Sequence, residues 1–259
     1  MAHGHEGLVL DAISEHVDSL AAFCYYMVNS PGDSISGPDA SRGVTRGRHL
    51  LSSPGEPMQR VIAYVDGFNL YHGIRDSKWP WAKWLNIQEM VQCILRQEQD
   101  LVHVHYFTSR VDSPAKQRRQ NTYLEALGTL SNLTIHFGRF LSDKICCARC
   151  GYTYTTHHEK MTDVNIAVQM MTDAYRDTFD VAFVVSGDSD LVGAVSTVWT
   201  LFPNKYLVAA FPPRRHSRDL ASAVNGSIKI YESTFRKCLL PDPIVKPDGY
   251  RLHCPASWR

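Results

Sequence analysis

The chain is predicted to fold as an α/β domain whose mainly parallel sheet is covered by helices on both faces, with a small Cys-rich insertion. Three observations predict it. Short, almost wholly apolar runs such as Val61-Ile62-Ala63-Tyr64-Val65 and Val181-Ala182-Phe183-Val184-Val185 read as strands buried on both sides. Segments with helical spacing separate such runs, which implies crossover connections between parallel strands. Acidic residues stand directly after two of the runs, at Asp66 and at Asp188 and Asp190, on the edge where open parallel sheets gather ligands.

Taken in order, residues 8 to 28 place Leu10, Ile13, Val17, Leu20 and Cys24 near helical spacing, and a short amphipathic helix is expected there. Residues 29 to 57 are rich in Ser, Gly, Pro and Arg without periodicity, the composition of a flexible linker. The folded domain is expected from Met58, itself a candidate translation start, to about residue 240, with 241–259 as a tail. After the strand at 61–65 come a helix at 87–96 and a strand Leu101–Thr108, whose alternating His103 and His105 point to one wetter face. Pro114 opens a long helix to about Leu130, and Leu133–Phe137 is a short strand. A Cys- and Tyr-rich insertion at 138–158 then breaks the alternation. Helical spacing returns at Val164, Val168, Met171 and Tyr175, followed by a strand at 181–186 and a helix from about Leu191. A strand Tyr206–Phe211, a helix near 217–223 and a strand Ser227–Tyr231 complete the pattern.

Composition narrows the function classes. With 259 residues and 44% hydrophobic content, the chain can bury a core without obligatory staples. Lys plus Arg number 27 against 26 for Asp plus Glu, so nucleic acid could be held only by local patches. No segment reaches the roughly 18 apolar residues of a membrane span, and the first residues lack the order of a secretory signal. No membrane is expected, and the default location is cytoplasmic. Seven Cys residues, an odd number, argue against a disulfide framework.

Asp66, Asp188 and Asp190 follow predicted strands, and Asp163 lies in the first turn of a helix expected over 160–177, near its apolar stripe. Each residue alone has an ordinary explanation as a turn former, cap or dipole-stabilising acid. Four acids at one sheet edge instead favour a divalent cation, because such a cluster repels itself and hard oxygen ligands select Mg²⁺ or Mn²⁺. Asn69, three residues past Asp66, could orient a water or a phosphate oxygen, and Lys160 could contact phosphate. Further phosphate contacts are expected from Arg118 and Arg119, with Lys116 and Arg110 nearby, and from Arg214 and Arg215, with Arg218 beyond. Trp79, Trp81 and Trp84 read as core and rim packing. Cys147 and Cys150 form a CxxC pair followed by His157, which fits a structural Zn²⁺ site and fits a hairpin of free thiols as well.

Four ordered segments resemble a known family. They are Val65-Asp66-Gly67-Phe68-Asn69-Leu70-Tyr71, Arg119-Gln120 with Tyr123-Leu124, Glu159-Lys160-Met161-Thr162-Asp163-Val164-Asn165, and Ser186-Gly187-Asp188-Ser189-Asp190-Leu191. Over about residues 60 to 235 they are similar to the successive motifs of NYN-domain proteins, in particular the bacterial LabA-like branch. The resemblance implies a PIN-like, Rossmann-like three-layer α/β/α domain and metal-dependent hydrolysis of RNA phosphodiester bonds with Mg²⁺ or Mn²⁺. It puts the acidic ligands on Asp66, Asp163, Asp188 and Asp190, with Asn69 and Ser186 as supporting polar residues. Single-stranded RNA is the expected substrate, and a homodimer stays open. Two alternatives compete: a non-catalytic RNA-binding or regulatory module on the same fold, and a phosphatase forming an aspartyl phosphate. The second is disfavoured because Phe68 stands where such enzymes want a second acid.

Overall fold

A computed structural model describes residues 58–111, 113–146 and 149–259, with backbone alone at 139–145 and 154–160. The helix and linker expected at 8–28 and 29–57 lie outside these residues. In chain order the first half contains β1 (Gln59–Asp66), α1 (Gly67–Asp76), α2 (Ile87–Gln92), β2 (Gln99–Thr108), α3 (Pro114–Leu127), β3 (Leu133–Phe137), β4 (Arg139–Cys146) and β5 (Thr153–Lys160). The second half contains α4 (Thr162–Tyr175), β6 (Val181–Val185), α5 (Val192–Leu201), β7 (Tyr206–Phe211), α6 (Arg218–Ala223), β8 (Gly226–Lys229), α7 (Glu232–Lys237), β9 (Ile244–Val245) and β10 (Arg251–Leu252).

Six strands form one sheet in the order β3-β2-β1-β6-β7-β8, and every neighbouring pair is parallel. Strand alternation divides β1 between two cores: Val61, Ala63 and Val65 face one side, Ile62 and Tyr64 the other. Leu70 of α1, Met90 of α2 and Leu127 of α3 fill the first core. Ile166 of α4, Val195 of α5 and Leu220 of α6 fill the second. These side chains are all essentially buried, each contributing about 1.5–3 kcal/mol of transfer free energy. The result is the three-layer α/β/α sandwich, and the central strands are apolar throughout because neither of their faces meets water.

The strand order reverses between β1 and β6. From β1 the chain proceeds outward through β2 and β3, then crosses back to β6 and proceeds the other way through β7 and β8. Val65 is in register with Val185, so Asp66 and Ser186 leave the two strands at the same height beside that crevice.

Some elements differ from the sequence expectation. The face of β2 that carries the alternating histidines is wet only in part: His103 is half-buried, while at His105 helix α4 covers the face and supplies a buried carboxylate. Asp173 accepts a hydrogen bond from the Tyr64 hydroxyl at 2.9 Å and lies 3.2 Å from His105 Nε2, while His105 Nδ1 is 2.9 Å from His136 Nε2. The insertion forms an antiparallel hairpin, β4–β5, with Arg139 opposite Lys160. Its geometry delivers the chain directly into α4. Helix α1, which had no counterpart in the expected pattern, starts where Asp66 caps it. Residues after 240 pack Ile244, Leu252 and Trp258 into the first core. Trp84 is buried and donates its indole N–H to the Pro241 carbonyl at 3.1 Å, while Trp79 and Trp81 stack at the rim. Among the described residues no helix is long and apolar enough to cross a membrane.

Candidate metal centre

Asp66 is the last residue of β1 and only 5% exposed. One carboxylate oxygen accepts the Asn69 backbone N–H at 2.9 Å and so caps α1, while the other accepts the Ser186 hydroxyl at 2.9 Å. The same hydroxyl accepts the Asp188 N–H at 3.1 Å, and the Asn69 side-chain oxygen accepts the Gly187 N–H at 3.0 Å. Two turns far apart in sequence are thereby fixed to one another. Gly187 is required here, since an added Cβ would lie 2.9 Å from the backbone carbon and Cβ of Arg215.

Asp188 caps the short 3₁₀ turn Ser189–Leu191, its oxygen accepting the Asp190 N–H at 3.1 Å. Asp163 comes from the opposite wall, in the first turn of α4. Met161, at φ 82°, takes up the left-handed conformation that turns the chain from β5 into that helix. Asp66, Asp163 and Asp188 each offer one carboxylate oxygen, and the three oxygens lie within 4.8 Å of one another.

Three carboxylates this close are electrostatically unfavourable on their own. Burial, followed by the charges of Asp66, Asp188 and Asp190, pushes the Asp163 carboxyl up to about 6. A divalent cation among hard oxygen donors would remove that penalty, so the residues fit such an ion. They line a cavity of about 310 Å³ together with Asn69, Phe68, His72, Thr162, Met161 and Arg215.

The other expected site residues divide. Asn69 and Ser186 hold the two turns together. Asp190 is exposed and outside the group of three, although its charge reaches Asp163. Arg215 lines the cavity, is ion-paired with Asp76, and has a buried Nε without a hydrogen-bond partner. Arg214 and Arg118 are exposed and do not line it, while Arg119 lines a neighbouring cavity. Cys147 and the side chains of Lys160 and His157 lie outside the described residues, and Cys150 is an exposed free thiol.

His72 was not among the expected residues. Burial, then the Arg75 and Arg215 cations, lower its pKa, and its buried Nδ1 has no hydrogen-bond partner. Its signal in the sequence is helical spacing: it follows Asn69 by three residues on α1, which was not anticipated as a helix.

A comparison with protein families matches the NYN domain across residues 60–231. The chain belongs to the NYN domain family. An NYN domain has a PIN-like nuclease fold, and the parallel six-stranded sheet described above agrees with it. PIN-like nucleases generally use divalent metal ions, and the aspartate trio supplies this NYN domain with suitable donors. Among solved structures it is similar to a Vibrio parahaemolyticus protein of unknown function, at 18% identity and a TM-score of 0.48, over 73% of this chain and 100% of the other. No curated protein matches.

Proposed function

We propose that this NYN domain, of the LabA-like branch, is a ribonuclease that hydrolyses phosphodiester bonds of single-stranded RNA with Mg²⁺ or Mn²⁺. The observation that carries the proposal is the convergence of Asp66, Asp163 and Asp188 at the point where the strand order reverses. When bound, the cation would make a water more acidic and offset charge on the leaving oxygen. The chain's own contribution is positioning. Asp66, Asp163 and Asp188 would hold the ion directly, and exposed Asp190 would act through water. Ser186 and Asn69 orient Asp66 and the Gly187 turn, so the donors need little reorganisation on binding.

Arg215 faces the same cavity and would hold a non-bridging phosphate oxygen, and Lys160, Arg214, Arg118 and Arg119 would supply further phosphate contacts. The nuclease domain on this reading spans 58–240, carries the Cys-rich insertion 138–158 as a hairpin, and is followed by the segment 241–259. On the same reading residues 1–57 are an N-terminal extension. A Zn²⁺ in the insertion would involve Cys147, Cys150 and His157.

Wild type and Asp188→Asn assayed on single-stranded RNA with Mn²⁺ or EDTA test the proposal. Cleavage by wild type that EDTA abolishes, and that Asp188→Asn lacks, is expected. Equal, EDTA-insensitive cleavage by both proteins would overturn it.

A further inference from the structure

A second, larger cavity opens beside the aspartate trio, with a volume of about 610 Å³. It falls inside the usual span of small-ligand pockets, about 300–1,000 Å³. Phe68 and His72 line both cavities, so the two share a wall along α1. The larger one sits beyond the ends of β1 and β2, between α1 and α3, and Trp258 from the C-terminal segment closes part of it. It therefore lies on the same edge of the sheet as the carboxylates.

The chemistry of its lining is the reverse of the acidic cavity. Tyr71 and Tyr123 provide aromatic surface, and Lys83, Lys116, Arg119 and Arg75 provide four cations, with no Asp or Glu among the described lining residues. Arg75 is paired with Asp76, but Lys83, Lys116 and Arg119 have no ion pair among the described residues. The Lys83 ammonium stands 5.3 Å over the Tyr71 ring, an aromatic face already tolerant of a cation. Burial, then the Arg119 and Arg75 cations, lower the Lys83 pKa, as expected of a cation cluster lacking its counter-charge. Tyr123 spends its hydroxyl on the Leu85 carbonyl at 2.8 Å, which leaves its ring as a fixed apolar wall.

We propose that this cavity holds one unstacked nucleotide of the RNA strand, its base against the aromatic wall and its phosphate on Lys83, Lys116 and Arg119. The ligand must combine a flat apolar part with an anion, and it must continue into a phosphodiester at the aspartates next door; a nucleotide meets both conditions. The inference rests on the ribonuclease reading for the identity of the polymer. It also gives that reading a specificity: the base that enters cannot be paired, so a duplex is excluded at this position.

The test is a calorimetric titration of the full chain in EDTA, which leaves the aspartates without metal, using AMP, UMP, adenosine and inorganic phosphate as separate probes. Saturable binding of AMP or UMP is expected, with adenosine and phosphate each at least about tenfold weaker, because each retains half of the recognised chemistry. Lys83→Ala combined with Arg119→Ala should weaken nucleotide binding by at least about tenfold at an unchanged melting temperature, since neither side chain is ion-paired among the described residues. No saturable nucleotide binding by wild type, equal binding of phosphate and AMP, or wild-type binding by the double variant would each overturn the proposal. The two readings fail separately: nucleotide binding without metal-dependent cleavage would leave the cavity standing and remove the nuclease, and the converse would remove the cavity alone.

Discussion

The Asn69 side-chain oxygen accepts the backbone N–H of Gly187 at 3.0 Å, across 118 residues of sequence. The bond joins the turn after β1 to the turn after β6, the two segments that carry Asp66 and Asp188. Parallel strand pairing brings the turns to the same height, and this bond fixes their separation. Asn69→Ala should therefore cost about 1 kcal/mol of stability and weaken Mn²⁺ binding by more than that loss explains. Urea denaturation together with a Mn²⁺ titration checks it; unchanged metal affinity would mean that the tether is structural only.

Asp163 is held in a site that resists its ionisation, so its removal should separate stability from metal binding. Asp163→Asn is expected to melt higher than wild type in EDTA, because one member of a repelling trio is neutralised. The same variant should lose the rise in melting temperature that Mn²⁺ gives wild type. Thermal scans with and without Mn²⁺ read both effects. A variant that is less stable in EDTA and still stabilised by Mn²⁺ would contradict the assignment.

Gly187 leaves no room for a side chain against Arg215 and His216. Gly187→Ala should destabilise the fold by about 1–3 kcal/mol, because the obstruction is backbone and cannot swing aside. Chemical denaturation measures that cost, and the RNA assay should show a larger proportional loss as the Asp188 turn is displaced.

Asp173 is buried among Tyr64, His105 and Gln169, and Asp173→Leu should cost about 2–4 kcal/mol, since it leaves the polar partners of that carboxylate buried and unpaired. Asp173→Asn should cost less, retaining one acceptor. Equilibrium unfolding of both variants gives the comparison, and an equal cost for the two would show that charge, not shape, dominates.

His136 supplies a pH dependence. Burial, together with the facing His105 and His103 and against the opposing pull of Asp173, lowers its pKa from 6.5 to about 4. The unfolded chain therefore takes up the proton first, and stability falls as the pH drops from 6.5 towards 4. Burial lowers the His103 pKa as well and adds in the same direction, whereas the lowered pKa of Asp173 costs stability only at more acid pH. Asp163, pushed up to about 6, takes up its proton first in the folded protein and opposes this trend in the same window, so the decline in melting temperature is expected in an Asp163→Asn background, where His136→Gln should flatten it. A melting temperature that rises on acidification in that background would contradict the assignment.

Much of the fold is legible because β1, β6 and β7 are short apolar runs bounded by polar turns, a pattern that only a strand covered on both faces satisfies. Strands β3 and β7 coincide with their expected limits at Leu133–Phe137 and Tyr206–Phe211. Helix α1 escaped because an Asp after a strand fits a turn, a cap and a ligand equally well, and here Asp66 both caps the helix and faces the cavity. The burial of His105 was not legible because the carboxylate that makes it tolerable, Asp173, lies on a distant helix.

By itself the sequence determined the opening of this site: a buried strand ending in Asp66, another ending in Ser186-Gly187-Asp188, and a helix beginning near Asp163. Local composition and periodicity suffice for that, because they record which faces of each element are buried. Only the tertiary structure decided that β1 and β6 are neighbours, that Asp188 joins the trio while Asp190 remains exposed, and that Arg215 enters the cavity while Arg214 does not. The cation-lined cavity beside it was likewise invisible, since Lys83, Arg119 and Trp258 come together only when α3 and the C-terminal segment pack against α1. The physical reason is common to all of these. Which residues meet across a parallel sheet is set by strand order and register, and at the aspartate site both arise from the pairing of β1 with β6, segments more than a hundred residues apart.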